Sequence, residues 1–236
     1  ELYTENKIRR YGFHGTSHRY VSQKAAEMLG KPIEELKIVT CHLGNGSSIT
    51  AVDKGVAIDT SMGFTPQEGL PMGTRSGSID PTVIPYIMKT RGLNADEIED
   101  LLNRKSGLLG VSGISNDSRK VEQAAAEGNY RAQLAQKILF NSIKKHIGSY
   151  IAEMNGIDVL VFTAGIGEND QRIREAVCTD MEYLGIKFDV AANDAAPHVS
   201  ENTKISTDDS AVAVYVLPTN EELVIARDTA AIVASL

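Results

Sequence analysis

The sequence holds only two cysteines, Cys41 and Cys178, far apart and in no metal-ligand spacing. That argues against a disulfide framework or a zinc module and fits a reducing, intracellular compartment, so the cytoplasm is the expected location. Basic residues are in the minority: 24 Lys and Arg against 31 Asp and Glu leave a formal net charge of −7. Nucleic acid and anionic membrane are therefore poor main partners, whereas a phosphate ligand, which needs only local donors, remains open. Long hydrophobic runs are missing too; the stretch 159–164 is far too short to span a bilayer. No signal peptide, internal repeat or low-complexity segment is visible. The chain opens Glu1-Leu2-Tyr3 without an initiator methionine, and the expectation is a processed product or a piece of something longer.

What is present is globular: 236 residues, 42% hydrophobic and 23% charged, enough for one large domain or two small ones. The chain is organised around residues 37–60, KIVTCHLGNGSSITAVDKGVAIDT. Alternating β-branched runs and turns predict three short antiparallel strands at 37–41, 49–52 and 56–59. The first turn carries more glycine than a hairpin needs. Gly44 and Gly46 remove Cβ atoms on both sides of Asn45, which lets backbone approach a bulky ligand. Backbone N–H groups there, with the Ser47 and Ser48 hydroxyls, suit an anion-accepting concavity. An ordinary hairpin with a wide loop is the alternative reading.

Further along, Ser17 is the expected N-cap of a helix to Leu29, ended by Gly30-Lys31-Pro32. Residues 61–78 are too long and glycine-rich for a plain connector. Helices are expected at 81–89, at 98–103 behind an Asn94 cap, and at 120–127; residues 106–115 read as another Gly/Ser loop. The pattern over 129–154 predicts a long helix with Leu134, Ile138, Ile143, Ile147 and Ile151 on its apolar face. Residues 158–163 read as a buried central parallel strand. Gly165 and Gly167 follow, then a helix over 170–184, an arrangement that offers N–H groups to a nucleotide. Weak strands at 186–190 and 203–206, a firmer one at 211–217, and a final helix capped by Thr219, with Glu222 in the capping-box position, complete the chain. The order predicts an α/β fold with a mixed sheet flanked by helices. No glycine turn fits a P-loop, and the Gly165–Gly167 pair lacks the third glycine and the acidic residue of a Rossmann fingerprint.

Six segments occur in a fixed order: GFHGTSH (12–18), HLGNGSS (42–48), GLPMGTRSG (69–77), NDSR (116–119), AGIGEN (164–169) and PTNEE (218–222). Together they resemble the acetate kinase (acetokinase) family along essentially the whole chain, with the closely similar propionate kinases as neighbours. The resemblance implies a ribonuclease-H-like fold of the actin, Hsp70 and sugar kinase type. It also implies ATP/ADP with Mg²⁺ (Mn²⁺ as a substitute), a homodimer, and phosphoryl transfer between ATP and acetate, giving acetyl phosphate. The family's N-terminal domain has no counterpart here, so the chain resembles the C-terminal nucleotide-binding half. On that reading residues 1–218 form the nucleotide-binding domain and the helix in 219–236 packs on the missing half. Acetate kinase, an ATP-binding half without activity of its own, and a propionate or related short-acyl kinase are the three functional readings.

The resemblance also implies residue roles. His14 and Arg75 face the transferring phosphoryl group; on residue chemistry alone, His14 would bond local backbone and Arg75 a surface acid. His42, Leu43, Gly44, Asn45 and Gly46 line the nucleotide phosphates. Asp117, Ser118 and Arg119, with Gly165, Ile166, Gly167, Glu168 and Asn169, match the adenosine-contacting segments, although Asp117 would also serve as a helix cap. Phe13 and Pro66 match positions near the acyl pocket, with core packing as the alternative. Glu221 is assigned to the metal, and Glu222 is left as a cap.

Overall fold

Val159, Leu160, Val161 and Phe162 follow one another without a polar interruption, and all four are fully buried. In the computed structural model, which describes residues 1–236, they form strand β4 (Val159–Thr163). A strand apolar on both faces must be covered on both, and that places it inside a sheet. Strand β1 (Lys37–Leu43) lies parallel to it on one side and β6 (Ala213–Val216) parallel on the other. Strands β2 (Ser47–Asp53) and β3 (Val56–Thr60) extend the sheet beyond β1, and β5 (Thr203–Lys204) closes the other edge antiparallel to β6. The order is β3-β2-β1-β4-β6-β5, a mixed six-stranded sheet of the expected ribonuclease-H-like kind.

The chain divides into two compact units. One comprises residues 14–44, 48–60 and 146–236, and it holds the sheet. Helix α1 (Gly15–Leu29) packs Val21, Ala25 and Ala26 against one sheet face, on Ile38, Val159, Val161, Ala213 and Tyr215. Gly30, at φ 67, ends it as expected. Its N-cap is His14 in the left-handed region (φ 59), not Ser17. Ser17 is buried, and its hydroxyl is committed to His42 instead. Beyond β4, residues 164–184 do not form one turn and one helix. Helix α7 (Ala164–Asn169) starts directly at the strand end, and α8 (Gln171–Cys178) follows, capped by Asp170, which accepts from the amides of Arg172 and Ile173. Of the weak strand expected at 186–190 only a Phe188–Ser206 bridge remains, and a short α9 (Val190–Asp194) begins at its last residue. Helix α10 (Glu221–Ala234) closes the unit; its cap is Asn220, which accepts from Leu223 N, rather than Thr219.

The other unit comprises residues 1–13, 45–47 and 61–145. Residues 61–78 are without regular structure, as the glycines predict. Helices α2 (Val83–Arg91), α3 (Ala95–Arg104) and α5 (Ser118–Ala126) match the expected segments, and Asn94 and Glu97 make the full capping box of α3. Residues 107–112, expected as loop, are helix α4 (Gly107–Ser112). Leu108 and Ser112 are buried, and the Leu108 and Leu109 amides donate to Met72 O and Gly73 O, so tertiary docking outweighs the poor helix propensity of Gly-rich sequence. The long α6 (Tyr130–Met154) forms, but its buried stripe is Ala132, Ala135, Leu139, Ile143, Ile147 and Ile151, while Leu134 and Ile138 are exposed.

Two left-handed glycines make opposite predictions. A Cβ on Gly30 (φ 67) would meet nothing within 4 Å; one on Gly107 (φ 58) would lie 2.1 Å from Met72 O and 2.6 Å from Arg75 O. Gly30→Ala should therefore cost about 1–2 kcal/mol of stability, the left-handed penalty alone, and Gly107→Ala clearly more, read as urea midpoints. Equal losses would contradict the packing of residues 72–75 on α4.

Candidate functional site

Three of the sequence motifs leave the sheet at one end. Parallel register sets His42 opposite Thr163 and Phe162 opposite Val216, so the carboxyl ends of β1, β4 and β6 lie side by side. In open α/β sheets this is where ligands bind. β1 delivers His42, Leu43 and Gly44; β4 delivers α7, with Gly165, Ile166, Gly167, Glu168 and Asn169; β6 delivers residues 217–222. The ends are tied together. Thr163 Oγ1 donates to Leu217 O (2.6 Å), and Glu168 Oε1 accepts from Ala164 N (2.8 Å) and Thr219 N (3.3 Å). Glu168 is thus spent on backbone of two of the three turns. Asn169 donates to Gly165 O (2.8 Å) and its Oδ1 meets His198 Nδ1 (3.1 Å). A Cβ on Gly165 would meet no protein atom within 4 Å, which leaves that surface open to a close-packed ligand.

Arg174 was not singled out by its sequence context, yet it holds this end in place. It is fully buried on α8, and its guanidinium donates to Gly167 O (3.0 Å), Glu168 O (2.9 Å), Ala196 O and Asn193 Oδ1 (2.8 Å). A buried cation is tolerable only when its donors are matched in this way. Glu221 opens the first turn of α10, next to Thr219, whose Oγ1 is buried without a partner. No group of three or more His, Cys, Asp or Glu side chains forms a ready-made metal cage.

Beside the β1 end sit three histidines. His14 stacks on His42 with ring centroids 3.9 Å apart and planes at 16°. His42 Nδ1 bonds Ser17 Oγ (2.8 Å), and His14 Nδ1 bonds Ser48 Oγ (2.9 Å). His18 lies behind them, with Nε2 on Ser48 Oγ (2.7 Å) and Nδ1 on Thr40 Oγ1 (2.7 Å). Burial, with smaller contributions from His42 and His14, pushes His18 down to about 3. Burial and then His14 push His42 down to about 4. Both rings are therefore neutral at physiological pH. His14 and His18 stand four apart at a helix start, a spacing that sets the two side chains on the same side.

In the other unit, Arg75 Nη1 donates to Pro66 O (3.2 Å) and lies 3.6 Å from Met72 Sδ, so Arg75 and Pro66 are brought together. Gly73 N donates to Asn45 O (3.3 Å), and a Cβ on Gly73 would stand 3.0 Å from Asn116 O, so residues of three motifs meet there. Gly46 follows Asn45 in this unit. Asp117 caps α5 and holds Arg119 through two side-chain bonds of 3.0 and 2.7 Å. Those bonds, with one from the Arg119 amide, keep the half-buried Asp117 carboxyl low, at about 2. Ser118 is the first residue of α5. Phe13 is exposed, not packed in a core.

A family model described as the acetokinase family matches residues 1–227. The acetate kinase of Natranaerobius thermophilus is 55% identical over 228 residues, covering 97% of this chain and 56% of its own length. That of Clostridioides difficile is 58% identical, covering 97% of this chain and 57% of its own. Among solved structures, Porphyromonas gingivalis acetate kinase aligns with a TM-score of 0.95 at 51% identity, over 98% of this chain and 58% of that one. A propionate kinase from Francisella tularensis aligns at 0.87 and 46% identity, over 95% and 56%. The chain spans a little over half the length of the curated relatives it matches, and the matched part is their C-terminal half.

The buried histidines link stability to pH. His18 and His42 take up protons in the unfolded chain below about pH 6.5, but in the folded chain only near 3 and 4. Between those values the unfolded state binds more protons, so stability is lost as pH falls, at up to about 1.4 kcal/mol per pH unit per histidine. The melting temperature should drop between pH 6.5 and 5, and His42→Asn should flatten that slope. A flat profile in the wild type would contradict the burial of these rings.

Proposed function

The chain belongs to the acetokinase family, and from that premise we propose that it serves reversible phosphoryl transfer from ATP to acetate, giving ADP and acetyl phosphate. An acetate oxygen attacks the γ-phosphorus in line, the bond from that phosphorus to the ADP oxygen breaks, and no covalent enzyme intermediate is needed. The observation that carries this reading is the gathering of the 42–44, 164–169 and 217–222 segments at the carboxyl ends of three adjacent parallel strands. It is supported by 55–58% identity to acetate kinases over nearly the whole chain.

The chemistry asks the protein mainly for position and positive charge. Arg75 neutralises charge on the equatorial oxygens of the transferring group, and His14 donates to it from its ring. His42, Leu43, Gly44, Asn45 and Gly46 bind the phosphates through backbone and ring N–H groups. Asp117, Ser118, Arg119 and Gly165–Asn169 bind the adenosine, the Asp117–Arg119 pair holding the guanidinium flat for a purine or ribose. Phe13 and Pro66 line the pocket for the methyl end of acetate. Glu221 holds Mg²⁺, or Mn²⁺ in its place. A lone carboxylate would suffice for such an ion, which dehydrates reluctantly and is commonly held by one or two carboxylates together with substrate phosphates. The partnerless Thr219 hydroxyl nearby is a ready partner for such a water. The ion supplies charge neutralisation on the phosphate oxygens. Helix α10 packs on an N-terminal domain like that of the relatives, and the whole protein is a cytoplasmic homodimer. No helix is long and apolar enough to cross a membrane.

Hydroxamate trapping of acyl phosphate, run on this chain with acetate, propionate and butyrate, tests the reading. Product with acetate supports it; ATP binding without product assigns this chain the role of a binding half. The likeness to a propionate kinase and the ~1–3 kcal/mol worth of one methylene predict measurable turnover of propionate as well. In a form that turns over, Arg75→Ala should lower kcat by about 10²-fold or more with little change in nucleotide affinity. A large loss of ATP affinity at unchanged kcat would contradict the role given to Arg75.

A further inference from the structure

His14 is the ring proposed above to donate to the transferring phosphoryl group, and what it can donate depends on which nitrogen carries its proton. Its Nδ1 sits 2.9 Å from Ser48 Oγ, and that hydroxyl is 2.7 Å from His18 Nε2. His18 Nδ1 is 2.7 Å from Thr40 Oγ1, which lies at the outer limit of a hydrogen bond, 3.5 Å, from Thr50 O. A neutral imidazole has one N–H and one lone pair, and a hydroxyl has one proton. With Ser48 also spending its own proton inside the chain, the four groups can be ordered in only two ways; the third ordering, in which Ser48 Oγ accepts from both rings, leaves a buried hydroxyl proton with no acceptor among them.

In one, the protons run from His14 Nδ1 to Ser48, from Ser48 to His18 Nε2, from His18 Nδ1 to Thr40, and from Thr40 to Thr50 O. The last buried proton is then left with a stretched acceptor, and neutral His14 keeps a lone pair on Nε2. In the other, Thr40 donates to His18 Nδ1, His18 Nε2–H donates to Ser48, and Ser48 donates to His14 Nδ1. Every buried proton then has an acceptor at 2.7–2.9 Å. Leaving a buried donor poorly matched costs more than leaving a spare lone pair on a hydroxyl. The buried position of His18 keeps it neutral, so it relays direction without taking an extra proton.

We propose that Thr40, His18 and Ser48 form a one-way hydrogen-bond chain that holds neutral His14 as the Nε2–H tautomer, and that His18 and Ser48 are thereby positioning residues for the reaction. The role in the reaction rests on the function proposed above; the direction of the chain does not. The consequence is that His14 meets a phosphoryl oxygen with a donor rather than a lone pair, and needs no imidazolium to do so.

Nitrogen-15 NMR of the histidine-labelled chain at pH 7.5, with the five rings assigned by single substitutions, reads the tautomers without any turnover. His14 and His18 should both be protonated at Nε2 and unprotonated at Nδ1; an Nδ1–H signal from either overturns the proposal. In Ser48→Ala, His18 loses its acceptor, and its proton should move to Nδ1, facing Thr40. An unchanged His18 tautomer in the folded variant also overturns it. Should that variant fail to fold, Thr40→Val decides: it removes only a donor to a lone pair, so both tautomers should persist, whereas the opposite direction would strand an N–H and flip both rings. In a form that turns over, Ser48→Ala should lower kcat by roughly tenfold at nearly constant nucleotide KM. Unchanged kcat with the expected tautomers would remove the positioning role alone, and an inactive wild type would count against the function and not against the tautomers.

Discussion

Parallel pairing of β4 between β1 and β6 is the constraint on which the rest of this structure depends. Val159–Phe162 has no polar residue to turn toward solvent, so it must be covered on both faces and both edges. Once β1 and β6 are fixed beside it in register, their carboxyl ends coincide, and the turns that follow them have no other place to be. Three sequence motifs spread from residue 42 to residue 222 are brought together by backbone pairing. Thr163 and Glu168 then fasten the β4 and β6 turns to each other, and a fully buried arginine is tolerated on α8 because Gly167 O, Glu168 O, Ala196 O and Asn193 Oδ1 take its donors.

Burial decides the chemistry of the neighbouring histidines. Three imidazoles within stacking or near-stacking distance would repel one another as cations, and desolvation removes that option for His18 and His42. What remains is a hydrogen-bonded set, neutral at His18 and His42, in which serine and threonine hydroxyls from β1, β2 and α1 hold the rings. The same neutrality that costs acid stability makes the ring orientation definite, because a neutral ring cannot donate at both nitrogens.

Much of this was legible in the residues. The unbroken VLVFT run, the Asn94–Glu97 capping box and the Gly30 stop each rest on local chemistry, and each appears where that chemistry puts it. The six ordered motifs carried the family and, with it, the fold. The misses share a cause, which is that long-range partners overrode local propensity. Helix α4 exists because residues 72–73 offer carbonyls to its first amides. Ser17 does not cap α1 because His42 claims its hydroxyl, and Leu134 and Ile138 face outward because the buried stripe of α6 follows Ala132, Ala135 and Leu139. Arg174 reads in the sequence as any polar residue beyond a motif and Ser48 as an anion donor, whereas the structure sets Ser48 Oγ on His14 and His18; only the tertiary structure reveals what they bond.

The carboxyl ends of β1, β4 and β6 are proposed as the nucleotide-binding end of the sheet. Amide chemical shifts of the nitrogen-15-labelled chain, followed while ADP and Mg²⁺ are added to saturation, test it most directly. Residues 42–44, 164–169 and 217–221 should move together with one apparent affinity. Shifts confined to the opposite, amino ends of these strands around residues 37, 158 and 213, or no shifts in the three turns at saturating nucleotide, would contradict it.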